Sequence, residues 1–213
     1  MTVRRGVRLP LEQLAPYLLD LSDPPAPVDF EMVYGNVRQV EMEIGFGKGL
    51  FLLNSAYSRP GVNFFGVEIE RKYQLFTATR MAKRGLTNVR LACGDAREIL
   101  RDHISTDSMK ALHVYFPDPW WKTRHRKRRL WTSEFAAECA RVIRPGGTLH
   151  TATDVEEYSR IIAGHLAKQP QLRELPTPGE KNPEHDLDFL TNFERKSRQA
   201  GRAIYRSLHQ KTG

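Results

Sequence analysis

Cysteine is scarce: the 213-residue chain has two, Cys93 and Cys139, each inside an apolar-patterned segment and neither in metal-like spacing with histidine. That excludes a disulfide framework and a Cys/His metal site, and the pair reads as small core residues of a protein from a reducing compartment. Long apolar runs are missing too. None approaches the roughly 20 residues of a membrane span, and the opening MTVRRGVRLPLEQ has no stretch resembling a signal peptide. The expectation is a cytoplasmic protein with no metal and no membrane partner. Internal repeats and long low-complexity tracts are absent, which leaves one well-cored domain with small appendages.

Acid is the minority charge. Lys and Arg number 33 against 25 Asp and Glu, a net +8, which favours a polyanionic partner. One basic block, Arg124, Arg126, Lys127, Arg128 and Arg129, follows directly on Trp120 and Trp121; a second series runs through the C-terminal segment. A solvated face is the bland reading of such charge, but aromatics beside a compact block suit nucleic acid better.

The proline-rich DPPAPVD (23–29) separates an N-terminal arm, residues 1–38, from a domain at 39–213. From Gln39 to Asp154 strand and helix patterns alternate. VEMEI, NFFGVEI, NVRLAC, KALHVYF and TLHTAT read as strands, and GFGKGLFLLNSAYS as a glycine turn opening a helix. Helices are expected from about Arg71 to Arg84, around Arg97 to Asp102, over SEFAAECARVI with Thr132 or Ser133 as cap, and from Glu156 to Lys168. This alternation predicts an α/β fold with a mostly parallel sheet covered on both faces. Beyond it, QPQLRELPTPGEKNPEHDLD reads as a loop, and TNFERKS and AIYRSLH as two extended segments forming an antiparallel pair at the sheet edge.

In such sheets ligands bind beyond the carboxyl ends of the strands. Each of the five strands finishes on or near an acid: Glu43, Glu68, Asp95, Asp118 and Asp154. The glycines after the first strand, Gly45, Gly47 and Gly49, are spaced G-x-G-x-G. This departs from the dinucleotide fingerprint, and a row of acids would repel a pyrophosphate. A cationic ligand reverses that conclusion. S-adenosylmethionine fits, with carboxylates near its sulfonium, Glu68 accepting from the ribose and Asp95 from the adenine amino group. Each acid could instead cap the helix that follows it.

The segment YFPDPWWKTRHRKRRL sets Asp118 between two prolines, which restrict its backbone. Together with EIGFGKG, FFGVEIE, GDA, TATD and TNFERKSRQAGRAIYRS, this segment resembles the bacterial tRNA (guanine-N7-)-methyltransferases over about Val40 to Ser207. The resemblance implies a Rossmann-like class I methyltransferase fold, a seven-stranded sheet with one antiparallel strand, that methylates N7 of the variable-loop guanine at position 46 of tRNA. It implies a methyl-donor set of Glu43, Gly45, Gly47, Glu68, Asp95 and Asp118, with Asp118 also catalytic. Lys122, Asp154, Thr191, Asn192, Phe193 and Glu194 are the implied substrate set. Arg124, His125, Arg126, Lys127, Arg128 and Arg129 are the implied RNA-contacting loop. An exocyclic-amino methyltransferase is one rival reading, because P-D-P-W is close to the D-P-P-[YW] loops of those enzymes. A non-catalytic RNA-binding module is the second and a dinucleotide oxidoreductase the third; neither has a use for the acid series.

Overall fold

The computed structural model describes residues 8–21, 26–120, 124, 128–177 and 190–213. In chain order the elements are α1 (Leu11–Leu14), a 3-10 turn (Ala15–Tyr17), β1 (Leu18–Leu19), α2 (Phe30–Tyr34), β2 (Val40–Ile44), α3 (Leu50–Ser58), β3 (Asn63–Glu68), α4 (Arg71–Ala82), β4 (Val89–Cys93) and α5 (Ala96–His103). Then follow β5 (Met109–Tyr115), α6 (Ser133–Val142), β6 (Ile143–Thr153), α7 (Glu156–Leu166), β7 (Leu172–Leu175), α8 (Asn192–Gln199) and β8 (Tyr205–Lys211). Among the described residues one eight-stranded sheet runs β1-β4-β3-β2-β5-β6-β8-β7. Every pairing is parallel except those of β8, which is antiparallel to both β6 and β7.

The seven strands expected from the resemblance are present, and a two-residue eighth, β1, adds to the edge. It comes from the arm, where Leu18 pairs with Leu91 and Leu19 with Ala92. Leu14 of α1 is fully buried, and the Tyr34 hydroxyl of α2 donates to the Phe64 carbonyl at 2.6 Å.

Strand alternation divides the core between two layers. Val40, Met42, Ile44, Phe65 and Val67 face α5, α6 and α7 in one cluster. Phe64, Leu91, Tyr115 and Ala152 face α3 and α4 in the other. The cap of α6 is Thr132, whose hydroxyl accepts from Phe135 N at 3.2 Å. Cys139 is buried and Cys93 half-buried, both free.

The C-terminal third departs from expectation. TNFERKS is not extended: it forms α8, capped at Thr191, whose hydroxyl accepts from Glu194 N at 3.0 Å. The Glu194 carboxylate reaches back to Leu190 N at 3.0 Å, a variant of the reciprocal capping box. The helix stops in a Schellman turn, with Arg202 N bonded to Ser197 O, Gly201 N to Arg198 O, and Gly201 at φ +66°. T-x-x-E and the following glycine were the helix signals, outweighed by a composition almost without apolar residues. AIYRSLH does supply an antiparallel strand, but its outer partner is LREL (β7), from the stretch read as loop. Residues 178–188 of that stretch lie outside the described residues.

Candidate active site

The glycine turn after β2 starts the site. Gly45, Gly47 and Gly49 all have positive φ, which L side chains rarely adopt. A Cβ at Gly49 would collide with Thr77, so that glycine lets α3 approach α4. At Gly45 and Gly47 a Cβ would meet only open space, which leaves bare backbone facing the crevice. Glu68, at the end of β3, holds the turn: one carboxylate oxygen accepts from Gly47 N at 2.8 Å and the other from Glu70 N at 3.1 Å.

Glu43 is the most perturbed acid in the crevice. It is 3% exposed, and among the described residues its Oε2 has no hydrogen-bond partner. Burial first, and the neighbouring Glu68 charge second, push its carboxyl up to about 8, against the pull of the Leu52 N–H in the first turn of α3. A half-satisfied, buried carboxyl beside open space is a place for a cation.

Asp95 caps α5, accepting from Arg97 N at 2.9 Å, and its carboxylate is also gripped by the Arg97 guanidinium. The Arg97 hydrogen bond holds it below the usual carboxylate range, against burial. The capping reading is therefore correct for this acid. Asp154, after β6, accepts at Oδ2 from Ser197 Oγ at 2.7 Å and from Arg202 at 3.0 Å. Burial works to raise it, but those two hydrogen bonds bring it below its ordinary value. The pair ties the end of β6 to α8. Glu194 is 4% exposed and spent internally: Arg198 Nε lies at 2.9 Å and Arg206 at 2.7 Å from Oε1, with Leu190 N on Oε2.

Asp118 differs from all of these. It is exposed, on a loop whose backbone is unusual at two non-glycine residues, Phe116 (φ +51°) and Trp120 (φ +43°). Such conformations cost about 1–3 kcal/mol and persist where surroundings over-determine them. Here Phe116 N bonds to Ala152 O at 2.7 Å, Arg129 Nε donates to Pro119 O at 2.7 Å, and Arg128 lies over the Trp120 ring at 5.2 Å. The Phe116 ring stacks on exposed Phe193 of α8, centroids 6.3 Å apart and 19° between planes. Neither Phe116 nor its contact with Phe193 was foreseen; proline after Phe116 restricts it but does not signal positive φ.

Beneath the crevice runs a buried polar chain. Glu41, two residues before Glu43 on the same face, accepts from Arg59 at 2.7 Å and from His113 Nε2 at 3.1 Å. Burial opposes its charge, but His113 and Arg59 outweigh burial and bring it down to about 2. Burial keeps His113 neutral, so Nδ1 accepts from the Tyr115 hydroxyl at 2.9 Å. This chain ties β2 to β5, the strands that carry Glu43 and lead into the Asp118 loop.

The family model described as "Putative methyltransferase" matches residues 37–207. A tRNA (guanine-N(7)-)-methyltransferase of Rhodopirellula baltica is 39% identical over 95% of this chain and 77% of its own length. The chain belongs to the tRNA (guanine-N(7)-)-methyltransferase family. A second member, from Pseudomonas putida, is 35% identical over 98% of this chain and 86% of its own. Among solved structures the 16S rRNA methyltransferase KamB superposes with a TM-score of 0.61 at 19% identity, covering 88% of this chain and 95% of that one. An O-methyltransferase from Thermotoga maritima gives 0.55 at 17% identity, over 86% and 63%. At those identities the likeness is one of fold: the class I methyltransferase fold.

In this methyltransferase Glu43, Gly45, Gly47, Glu68 and Asp95 stand at or just after the carboxyl ends of β2, β3 and β4. Thr191, Asn192, Phe193 and Glu194 cap and open α8, which Ser197 ties to Asp154 after β6, and Asp118 lies on the loop after β5, the strand between β2 and β6. Arg124 and Arg128 are exposed, whereas Arg129 is half-buried and holds the Asp118 loop. Lys122, His125, Arg126 and Lys127 lie outside the described residues, as does Trp121.

Proposed function

We propose that this chain transfers a methyl group from S-adenosylmethionine to N7 of the variable-loop guanine, position 46, of tRNA. Family membership, together with the half-satisfied buried Glu43, carries the reading. The donor fits: Glu43 with its free Oε2 would take the amino-acid ammonium, bare Gly45 and Gly47 would lie along the amino-acid moiety, Glu68 would accept from the ribose and Asp95 from the adenine amino group. When bound, S-adenosylmethionine supplies an electrophilic methyl group. Asp118, Lys122, Asp154 and the run Thr191–Glu194 would hold the guanine, and Arg124 to Arg129 the flanking phosphates.

N7 of guanine carries an in-plane lone pair and no proton, so no general base is needed. Asp118 would accept from N1–H and the exocyclic amino group, and its charge would offset the positive charge developing on the ring. Alignment and electrostatics then do the catalysis. Glu194 would act through the backbone, holding α8 so that Phe193 and Asn192 face the base. The arm at 1–38 and the methyltransferase domain at 39–213 would work in the cytoplasm, as monomer or homodimer, without an obligate protein partner or a membrane. The test is incubation with labelled donor and unmodified tRNA, then nucleoside mass spectrometry. 7-Methylguanosine is the expected product; a label on an exocyclic amine would move the enzyme to the rival class, and no label with no donor binding would favour an RNA-binding module.

Glu43 adds a pH prediction. Its folded value, about 8 against an ordinary 4.5, means the empty protein carries it protonated at neutral pH. For an acid raised in the fold, the stability penalty is absent below the unfolded value and grows as pH rises toward the folded one. A bound cation removes the penalty by ionising Glu43. Donor binding at pH 7 should therefore release close to one proton, and affinity should strengthen from pH 6 to 8 and then level. Calorimetry in buffers of different ionisation heat reads this directly; Glu43→Gln should abolish the release. Heats independent of buffer in the native protein would contradict it.

A further inference from the structure

From Arg71 to Gly85 the chain carries Arg71, Lys72, Arg80, Lys83 and Arg84 and no acid. Lys72, Phe76, Thr79, Arg80 and Lys83 fall on one stripe of α4 and the turn after it. With Arg8 from the arm they line a groove of about 300 Å³. Phe76 is 42% exposed in the middle of this basic rim. The Arg80 guanidinium donates to the Lys48 carbonyl, which ties the groove to the glycine turn. Burial, and then the Arg84 charge, work against the charged form of Arg80, a repulsion that a bound anion relieves. Among the described residues the nearby acids are Glu70, which pairs with Lys72 at 3.0 Å on the surface, Glu68, whose charge also acts on Lys72, and exposed Glu12 of α1, which packs against α4.

A merely solvated face interleaves its charges. Cations ringing one exposed aromatic suit a nucleic-acid strand, phosphates on the rim and a base or ribose on the ring. Position supports this. Lys72 sits in the first turn of α4, just past Glu68, and Lys83 follows about 16 Å further at 1.5 Å per residue. The track therefore leads away from the crevice over a length that a few consecutive phosphates of one strand can occupy.

We propose that this groove is a second docking surface for the phosphate backbone of the tRNA substrate, separate from the Arg124–Arg129 segment; the proposal rests on the function proposed above. Arg80 and Lys72 are unsuitable for its test, because one braces the glycine turn and the other adjoins Glu68. The variants are Arg8→Gln/Lys83→Gln and, separately, Phe76→Ala, with folding checked by thermal melting. For the double variant KM for tRNA should rise about tenfold, and the log–log salt dependence of tRNA binding should become shallower by about 1.8, close to 0.9 for each lost phosphate contact. Phe76→Ala should raise KM severalfold with an unchanged salt slope. For both, kcat at saturating tRNA and donor affinity should stay within twofold of the native protein. Native KM and salt slope in the double variant would overturn the proposal. So would a loss of binding to vesicles of anionic phospholipid with KM for tRNA unmoved, which would assign the groove to a membrane. Should the native protein transfer no methyl to tRNA, the function reading fails by itself, and filter binding still decides the groove: tenfold weaker tRNA binding by the double variant supports it, equal binding overturns it.

Discussion

Asp118→Ala is expected to lower kcat/KM for tRNA methylation by about 10²- to 10³-fold, the usual cost of removing one preorganised electrostatic group from a reacting centre. Donor affinity should change by no more than a few-fold. The reason is position: Asp118 is exposed on the loop after β5, whereas the buried, half-satisfied carboxyl is Glu43 of β2, the proposed donor ligand. Asp118→Asn separates charge from shape. An amide keeps one acceptor for a guanine N–H but carries no charge to offset the positive ring, so its rate should fall between the native protein and Asp118→Ala. A near-native rate for the asparagine variant would show that the charge is dispensable. A selective collapse of donor binding in Asp118→Ala would make Asp118 a donor ligand first.

The second large effect is structural. Glu194→Gln should lower the melting temperature by about 6–10 °C. Breaking a buried ion pair from one side costs about 3–5 kcal/mol, and each kcal/mol moves a domain of this size by about 2–4 °C. The estimate sits at the low end because the Arg198 and Arg206 side chains keep 21% and 20% of their surface exposed. The loss has a specific origin, since one carboxylate satisfies Arg198, Arg206 and the Leu190 N–H together. Turnover should fall with the disordering of α8, and cooling should restore part of it. An unchanged melting temperature with tRNA binding lost would instead make Glu194 a direct ligand of the RNA.

The α/β core was legible because buried parallel strands are short apolar runs and the helices between them carry ordinary caps. VEMEI, NFFGVE and MKALHVY needed no more than that. The C-terminal part was not, for identifiable reasons. α8 is stabilised by Thr191, Glu194 and the Gly201 turn rather than by an apolar stripe, so periodicity had little to detect. LREL becomes β7 only because β8 lies beside it, a partner 30 and more residues away. In the site, the acids at the strand ends could be read one by one. Their division of labour could not: Asp95 and Glu68 bonded to backbone, Asp154 tied to Ser197 and Arg202, Glu43 left half-satisfied. Those differences arise from neighbours distant in the chain, as does the Glu41–His113–Tyr115 chain beneath them. Positive φ at Phe116, a bulky residue, has no sequence signature.

Replacing the guanine at position 46 of the tRNA by 7-deazaguanine tests the central claim most directly, because it removes the N7 lone pair and keeps the N1 and amino edge that Asp118 is proposed to read. The expected result is no methyl incorporation at that site, with tRNA binding close to that of the unmodified RNA. Methyl transfer to the 7-deazaguanine nucleotide, on any atom, would contradict the account.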